Sequence, residues 1–223
     1  DAYILYKHES AHHTARCFPV LFSRGCPQTC NFCFRLYDSY RLRSFENVFE
    51  EIRILRDKYN VNHIDFVDEN IMINEKAAIR FGEAMKEADL GVTWNCHGVT
   101  PACTKKALKV MKEAGMTAVN LGIESLDQTV IDNITKKQTV QDAYNAVENC
   151  KEVGIFSGIN IIWGNIGDTE ESLNLGADFL IKYNSTRHLR SIKPVTPYPG
   201  TPLYRYALEK GLLKKFPELS KIK

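Results

Sequence analysis

Six times in succession, a short apolar run is followed by a stretch with helical periodicity, and this alternation constrains the fold more than any other feature of the chain. The runs are Phe18–Ser23, Val61–Val67, Val92–His97, Thr117–Ile123, Ile155–Trp163 and Leu189–Val195. The first helix opens near Ser44, keeps Val48, Ile52 and Leu55 on one face and closes at Asn60. Asn74 caps a second helix running to about Ala88, and Thr104 opens a third that turns Leu108 and Met111 inward before Gly115. Helical stretches follow at Asp127–Ile134, Val140–Val153 (stopped by Gly154) and Thr169–Tyr183, with a short last one at Leu203–Glu209. Consecutive β-then-α units require parallel strands joined by right-handed crossovers. Eight units close a TIM barrel, so six predict an α/β fold in the form of a partial (β/α)6 TIM-like barrel with parallel strands. In such sheets the chemistry sits at the carboxyl ends of the strands.

Composition narrows the setting. With 44% hydrophobic and 25% charged residues, the chain suits one large globular domain. Its 29 basic and 27 acidic side chains leave a net charge of +2, so a nucleic-acid partner is not indicated. No apolar run is long enough for a membrane span, and no signal-peptide pattern opens the chain. Three of the seven cysteines crowd into eight residues, which suits metal ligation in a reducing cytoplasm better than a disulfide framework. Residues 1–17 read as an arm or the tail of a missing upstream region, 18–212 as the barrel, and 213–223 as the start of an incomplete C-terminal extension.

The cysteines follow the first strand as Cys26-Pro-Gln-Thr-Cys30-Asn-Phe-Cys33. Three thiolates at C-x3-C-x2-C reach three corners of a [4Fe–4S] cubane from one loop and leave the fourth iron open. An open iron can bind the amino and carboxylate groups of S-adenosylmethionine, and the reduced cluster can then break its C5′–S bond to give a 5′-deoxyadenosyl radical. Two other readings stay open at this point. A structural zinc site would take its fourth ligand from Cys17, His12 or His13. A redox dithiol of Cys30 and Cys33 would leave Cys26 without a role.

This spacing, with the aromatic Phe32 before the last cysteine at the end of the first strand of a βα repeat, resembles the radical S-adenosylmethionine superfamily. The fourth strand alternates, with Val119, Leu121 and Ile123 toward the helices and Asn120, Gly122 and Glu124 inward. An inward Glu124 needs a partner, either a ligand's ribose hydroxyl or ammonium, or an Arg or Lys of the chain. Gly122-Ile-Glu124-Ser125 resembles the family's G-I-E-S strand end, whose glutamate contacts the cofactor. The second strand ends in Asp68-Glu69-Asn70, where the family binds the methionine amino group; Asp68 and Glu69 remain alternatives, and Asp68 or Asn70 alone can cap a turn. In the fifth strand Gly158, Asn160 and Gly164 offer a flat surface for an adenine ring, although Gly167 leading into a capped helix also explains the segment.

Thr196-Pro197-Tyr198-Pro199-Gly200-Thr201-Pro202-Leu203-Tyr204 forms a rigid turn and resembles the P-x-P-G-T-P-L-Y segment of the cobalamin-dependent and methylthiotransferase-type branches, which brings Tyr198 among the expected cofactor contacts. The stretch Arg41-Leu-Arg43 resembles the same branches, whose arginines lie near the site; alone it reads as a solvated helix start. Two departures stand out: Gly98 where the branch carries an arginine, and Asn165-Ile166 where the family has Leu-Pro. His97 beside Gly98 is either an acid–base group or a hydrogen-bonded strand end.

The resemblance implies an enzyme that uses a [4Fe–4S] cluster and S-adenosyl-L-methionine, an external electron donor and a small-molecule or peptide substrate. Cobalamin would enter through an upstream domain, since no D-x-H-x-x-G sequence occurs here. The implied reaction is cobalamin-dependent methyl transfer or a ring-forming rearrangement, with a methylthiotransferase or an oxygen-independent oxidase as alternatives. A non-catalytic iron–sulfur or zinc-binding protein is the rival from another class.

Overall fold

The computed structural model describes residues 16–35, 37, 39–183 and 190–214. The expected arm up to residue 15, with His12 and His13, lies outside them, as does the extension from residue 215.

Six strands form one sheet in the order β1 (Cys17–Val20), β4 (His63–Phe66), β5 (Thr93–Gly98), β6 (Met116–Glu124), β7 (Phe156–Trp163) and β8 (Arg190–Pro194). Every neighbouring pair is parallel. The sheet curls into an open half-barrel with helices on its outer face. The first strand enters at Cys17, one residue before the expected barrel boundary. Helices α1 (Phe45–Tyr59), α2 (Glu75–Ala88), α3 (Lys105–Glu113), α4 (Gln128–Asn133), α5 (Val140–Val153), α6 (Glu170–Lys182) and α7 (Pro202–Glu209) supply the crossovers and the closing turn. Each begins on a Ser, Asn, Thr or Asp whose side chain accepts a backbone N–H of the first turn: Ser44, Asn74, Thr104, Asp127, Thr139, Thr169 and Thr201. Asn60 and Gly154 close α1 and α5 in the left-handed conformation.

The core lies between sheet and helices. Phe66, Phe81 and Trp94 are fully buried and meet edge to face at 5.3–5.7 Å, joining α2 to β4 and β5. Burying a side chain of this size contributes about 1.5–3 kcal/mol, and the ring geometry about 0.5–1.5 kcal/mol more. Phe22 extends the cluster, packing on Phe81 at 4.9 Å and on Phe45 at 5.1 Å. The residue that precedes the cysteine loop is thereby fixed to the core.

Two elements have no counterpart in the sequence reading. A short antiparallel ladder pairs β2 (Ser23–Arg24) with β3 (Arg41–Leu42) and brackets the cysteine loop between them. A single 3-10 turn, Thr100–Ala102, follows β5. Neither carries a periodic signal, because two-residue strands are set by what they pair with and not by their own pattern.

Candidate functional site

The cysteine loop leaves the carboxyl end of β1 and is held at both ends. At its start, the Asp68 carboxylate, beyond the end of β4, accepts the N–H groups of Phe22 (3.0 Å) and Ser23 and the Ser23 hydroxyl (2.5 Å). Asp68 is fully buried, and burial pushes its carboxyl above the usual range despite the donors around it. At its return, the Ser39 carbonyl lies so near Gly25 (φ 84°) that a Cβ there would stand 2.4 Å from that oxygen.

The middle of the loop is stapled to the turn after α4, a segment over a hundred residues away. Asn31 N–H donates to Ile134 O at 3.0 Å and Asn31 Nδ2 to Asn133 O at 2.9 Å. Thr135 Oγ1 donates to Thr29 O at 2.6 Å, while Thr29 Oγ1 donates to Thr135 O at 3.4 Å. On its other side, Asn31 O accepts Leu203 N–H of α7 at 3.0 Å, so the proline turn does more than end the sheet. Asn133 Nδ2 also donates to Ile166 O, tying the loop after β7 to the same turn.

Cys26, Cys30 and Cys33 are unbridged and line one cavity of about 370 Å³ at the carboxyl ends of the strands. Its wall also includes Gln28, Phe32, Glu69, Asn70, His97, Asn120, Glu124, Lys136 and Asn160. An adjoining hollow of about 440 Å³ shares Phe32, Cys33, Glu124 and Asn160 and adds Tyr198, which is 54% exposed. A hollow of about 520 Å³ lies at the opposite, amino ends of the strands, around Asn62, Gly91, Thr93 and Gly115; it contains no thiol.

The cavity is electrostatically graded. Cys33 donates to Cys30, and with the Lys136 ammonium nearby this brings the Cys30 thiol down to about 7, while Cys33 is pushed up. Burial raises the Cys26 thiol. Lys136 Nζ donates to Glu124 Oε1 at 2.7 Å, with only 9% of either side chain exposed. Burial works against the Lys136 charge, but Glu124 and Cys30 together outweigh it and raise its pKa. Two buried oxygens of the cavity-lining residues, Gln28 Oε1 and Asn70 Oδ1, have no hydrogen-bond partner.

The sequence-derived residues thus fall into two groups. Phe32, Glu69, Asn70, Glu124 and Asn160 share the cysteine cavity, with Tyr198 at the adjoining mouth. Asp68, Ser125 and Gly164 do not line it. The Asp68 carboxylate is committed to β1 and the loop root, which leaves Glu69 as the acidic group of this strand end facing the cavity. Ser125 is buried and its Oγ accepts Asp127 N–H; it borders an apolar groove between β7 and α6 instead. Gly164 makes a left-handed turn beyond β7, against Val195.

His97 lines the cavity with Nδ1 2.9 Å from the Asp68 carbonyl, which accepts only, so Nδ1 is the donor of this contact. Arg43 turns away to the Leu21 carbonyl, Asn47 and Glu51, and Arg41 stacks over Tyr37. Lys136 and Gln28 were not anticipated from the sequence, whereas Asn120, expected only to face inward, lines the cavity. Glu124 does have a basic partner, one of the alternatives its inward position leaves open.

No three His, Cys, Asp or Glu side chains among the described residues converge on a single metal ion. A mononuclear zinc site needs its donors within about 2.3 Å of one point, whereas a cubane spreads its ligands over different irons. Cys17, the zinc ligand considered above, sits buried at the far end of β1, where burial pushes its thiol up to about 11.

Comparison with known proteins gives the following. The family model described as the Radical SAM superfamily matches residues 20–180. A methyltransferase of Pyrococcus horikoshii described as uncharacterized is 33% identical over 197 residues, covering 87% of this chain and 42% of the relative. The anaerobic magnesium-protoporphyrin IX monomethyl ester cyclase of Rubrivivax gelatinosus is 30% identical over 191 residues, covering 82% of this chain and 34% of the relative. The chain therefore spans less than half the length of these relatives. Among solved structures, the radical S-adenosylmethionine methyltransferase TsrM from Kitasatospora setae, with cobalamin and a [4Fe–4S] cluster bound, superposes with a TM-score of 0.78 at 16% identity, over 88% of this chain and 40% of that one. The cobalamin-dependent S-adenosylmethionine radical enzyme OxsB follows with 0.68 at 16% identity, over 93% of this chain and 37% of that one. At such identities the likeness is one of fold.

Proposed function

Because the chain belongs to the radical S-adenosylmethionine superfamily, we propose that its cavity holds a [4Fe–4S] cluster on Cys26, Cys30 and Cys33 and that the protein cleaves S-adenosylmethionine reductively. The observation that carries this reading is the placement of three unbridged thiols and a set of acidic and amide groups on one cavity at the carboxyl ends of a parallel sheet. Three soft donors from one loop suit an iron–sulfur cluster. The remaining cysteines are all buried elsewhere, Cys17 in β1 and Cys96, Cys103 and Cys150 in the outer core. Among the cavity-lining residues, the unpartnered Asn70 Oδ1 and the Glu69 carboxylate are acceptors suited to an ammonium. The combined hollows, about 370 and 440 Å³, lie in the size range of cofactor sites.

Bound S-adenosylmethionine and a reduced cluster supply a 5′-deoxyadenosyl radical, drawing one electron from an external donor. The chain's own groups have separate tasks. Asp68 and the Asn133–Thr135 turn hold the loop root and its middle, so that the three sulfurs are presented together. Glu69 and Asn70 would accept from the methionine ammonium, while Lys136 and Glu124 present a balanced pair of charges to the carboxylate and ribose. Asn160, anchored through Nδ2 to Leu121 O at 3.1 Å, would offer its amide oxygen to the adenine side. Phe32 and Tyr198 would shield the radical from water.

We assign the protein to cobalamin-linked methyl transfer or cyclisation of a small-molecule substrate, supported by relatives named as a methyltransferase and a cyclase. No helix among the described residues is long and apolar enough to cross a membrane. The test is anaerobic iron and sulfide reconstitution followed by electron paramagnetic resonance of the reduced protein with and without S-adenosylmethionine. A signal that changes on addition, with 5′-deoxyadenosine forming under reductant, is expected. Uptake of zinc but not iron, or a cluster blind to S-adenosylmethionine, would return the chain to the non-catalytic reading.

A further inference from the structure

We propose that the buried Lys136–Glu124 ion pair acts on the reduction potential of the cluster as two opposed charges whose effects nearly cancel. The inference rests on the cluster assignment above and concerns only these two residues of the chain.

The geometry that carries it is unusual for a lysine. Lys136 is the second residue of a polar stretch, Thr135-Lys136-Lys137-Gln138, that would ordinarily be solvated, yet its side chain is 91% buried and lines the cysteine cavity. It is delivered there by the turn stapled to Thr29 and Asn31, with Thr135 held at φ 56°, a left-handed conformation that is costly for a β-branched residue. Space for the pair is provided by Gly122, where a Cβ would come within 2.4 Å of Glu124 Oε1 and 2.6 Å of Lys136 Nζ. The local structure is therefore shaped around this ammonium and its carboxylate. Both charges line the same cavity as Cys30 and Cys33.

A cluster on three thiolates is already anionic, and taking up one electron from an external reductant adds a further negative charge. A cation held close by, in a site largely withdrawn from water, favours the reduced form and raises the midpoint; an anion at similar distance lowers it. Paired, they leave the potential near the value the cluster and its other surroundings give. Separated by mutation, each becomes visible.

The experiment is a potentiometric titration with dithionite, followed by electron paramagnetic resonance, on the reconstituted full chain without S-adenosylmethionine. Lys136→Met is expected to shift the midpoint downward and Glu124→Gln upward, while the double variant and Lys136→Arg return close to the wild-type value. Opposite signs for the two single variants are the signature, because lost packing alone has no reason to produce them. Unchanged midpoints in both singles, or shifts in the same direction, overturn the proposal while leaving the cluster assignment intact. If Lys136→Met fails to take up iron, Glu124→Gln decides: an upward shift supports the proposal and an unchanged or lowered midpoint overturns it. A wild-type protein that forms no cluster refutes the functional reading instead, and is recognised by the absence of any signal to titrate.

Discussion

Replacing Asp68 by alanine should cost about 3–5 kcal/mol, because it strands two buried backbone N–H groups and removes a hydroxyl hydrogen bond to a charged group. The carboxylate holds two backbone N–H groups and the Ser23 hydroxyl at a position with no solvent exposure. Without it, the Phe22 and Ser23 N–H groups have no acceptor, and each unsatisfied buried donor costs about 1–3 kcal/mol. The desolvation that raises the Asp68 pKa works the other way, since the variant no longer buries a charge, and it trims the loss from the top of that range. A domain of this size has roughly 5–15 kcal/mol of stability to lose, and Tm should fall by about 6–20 °C.

Urea unfolding of the reduced apoprotein, followed by circular dichroism and tryptophan fluorescence, measures the change. Ser23→Ala alone should cost about 1.5–3 kcal/mol, because its hydroxyl donates to a charged group. In the Asp68→Ala background the same substitution should cost little, giving a coupling of about 1–2.5 kcal/mol. A loss below about 1 kcal/mol for Asp68→Ala, or strictly additive variants, would refute the clamp.

Three further outcomes follow from the same geometry. Cys26→Ala, Cys30→Ala and Cys33→Ala should each abolish stable iron–sulfur absorbance after reconstitution, while Cys17→Ala retains it; loss of the cluster in the last would reopen Cys17 as a ligand. Thr135→Val removes the hydroxyl donor to Thr29 but keeps the left-handed strain, so iron retention and stability should both fall, the latter by about 0.5–1.5 kcal/mol. Thr135→Gly relieves that strain, worth about 1–2 kcal/mol, while losing the same bond, so retention falls but stability does not; wild-type retention in both variants would discount the staple. Because the folded pKa of Asp68 lies above the unfolded one, its contribution is fully present below the unfolded value and declines as pH rises through the folded value. The stability gap between wild type and Asp68→Asn should therefore narrow as pH rises above the ordinary carboxylate value of about 4, and a gap that widens would contradict the raised pKa.

The features legible in the sequence are those set by neighbours along the chain. Strand and helix succession, the capping residues Ser44, Asn74, Thr104 and Thr169, and the stop at Gly154 all rest on periodicity or on contacts within one turn. The cysteine loop was legible because its three thiols lie within eight residues. The distribution of roles was less so. Asp68 and Glu69 are adjacent and chemically alike, and only the pairing of β1 with β4 sends one into the backbone of Phe22 and Ser23 and leaves the other on the cavity. Lys136 carries no signal at all in its polar segment, since its burial follows from hydrogen bonds between residues 106 positions apart. Ser125 and Gly164 look like site residues by motif; the structure sets Ser125 beside the groove between β7 and α6 and Gly164 in a turn against Val195, positions that motif alone does not give.

The attachment of Asn31 to Ile134 and to Leu203 also has a consequence for how the protein is made. The partner in α7 follows Asn31 by 172 residues (203 − 31). At about 5–20 residues per second, that interval lasts roughly 9–34 s. Throughout it the nascent chain carries three thiols with no organised pocket around them. Cluster insertion on these thiols would belong after synthesis of the sixth βα unit, and a ribosome stalled before residue 203 displays a polypeptide with the three thiols but without the architecture around them.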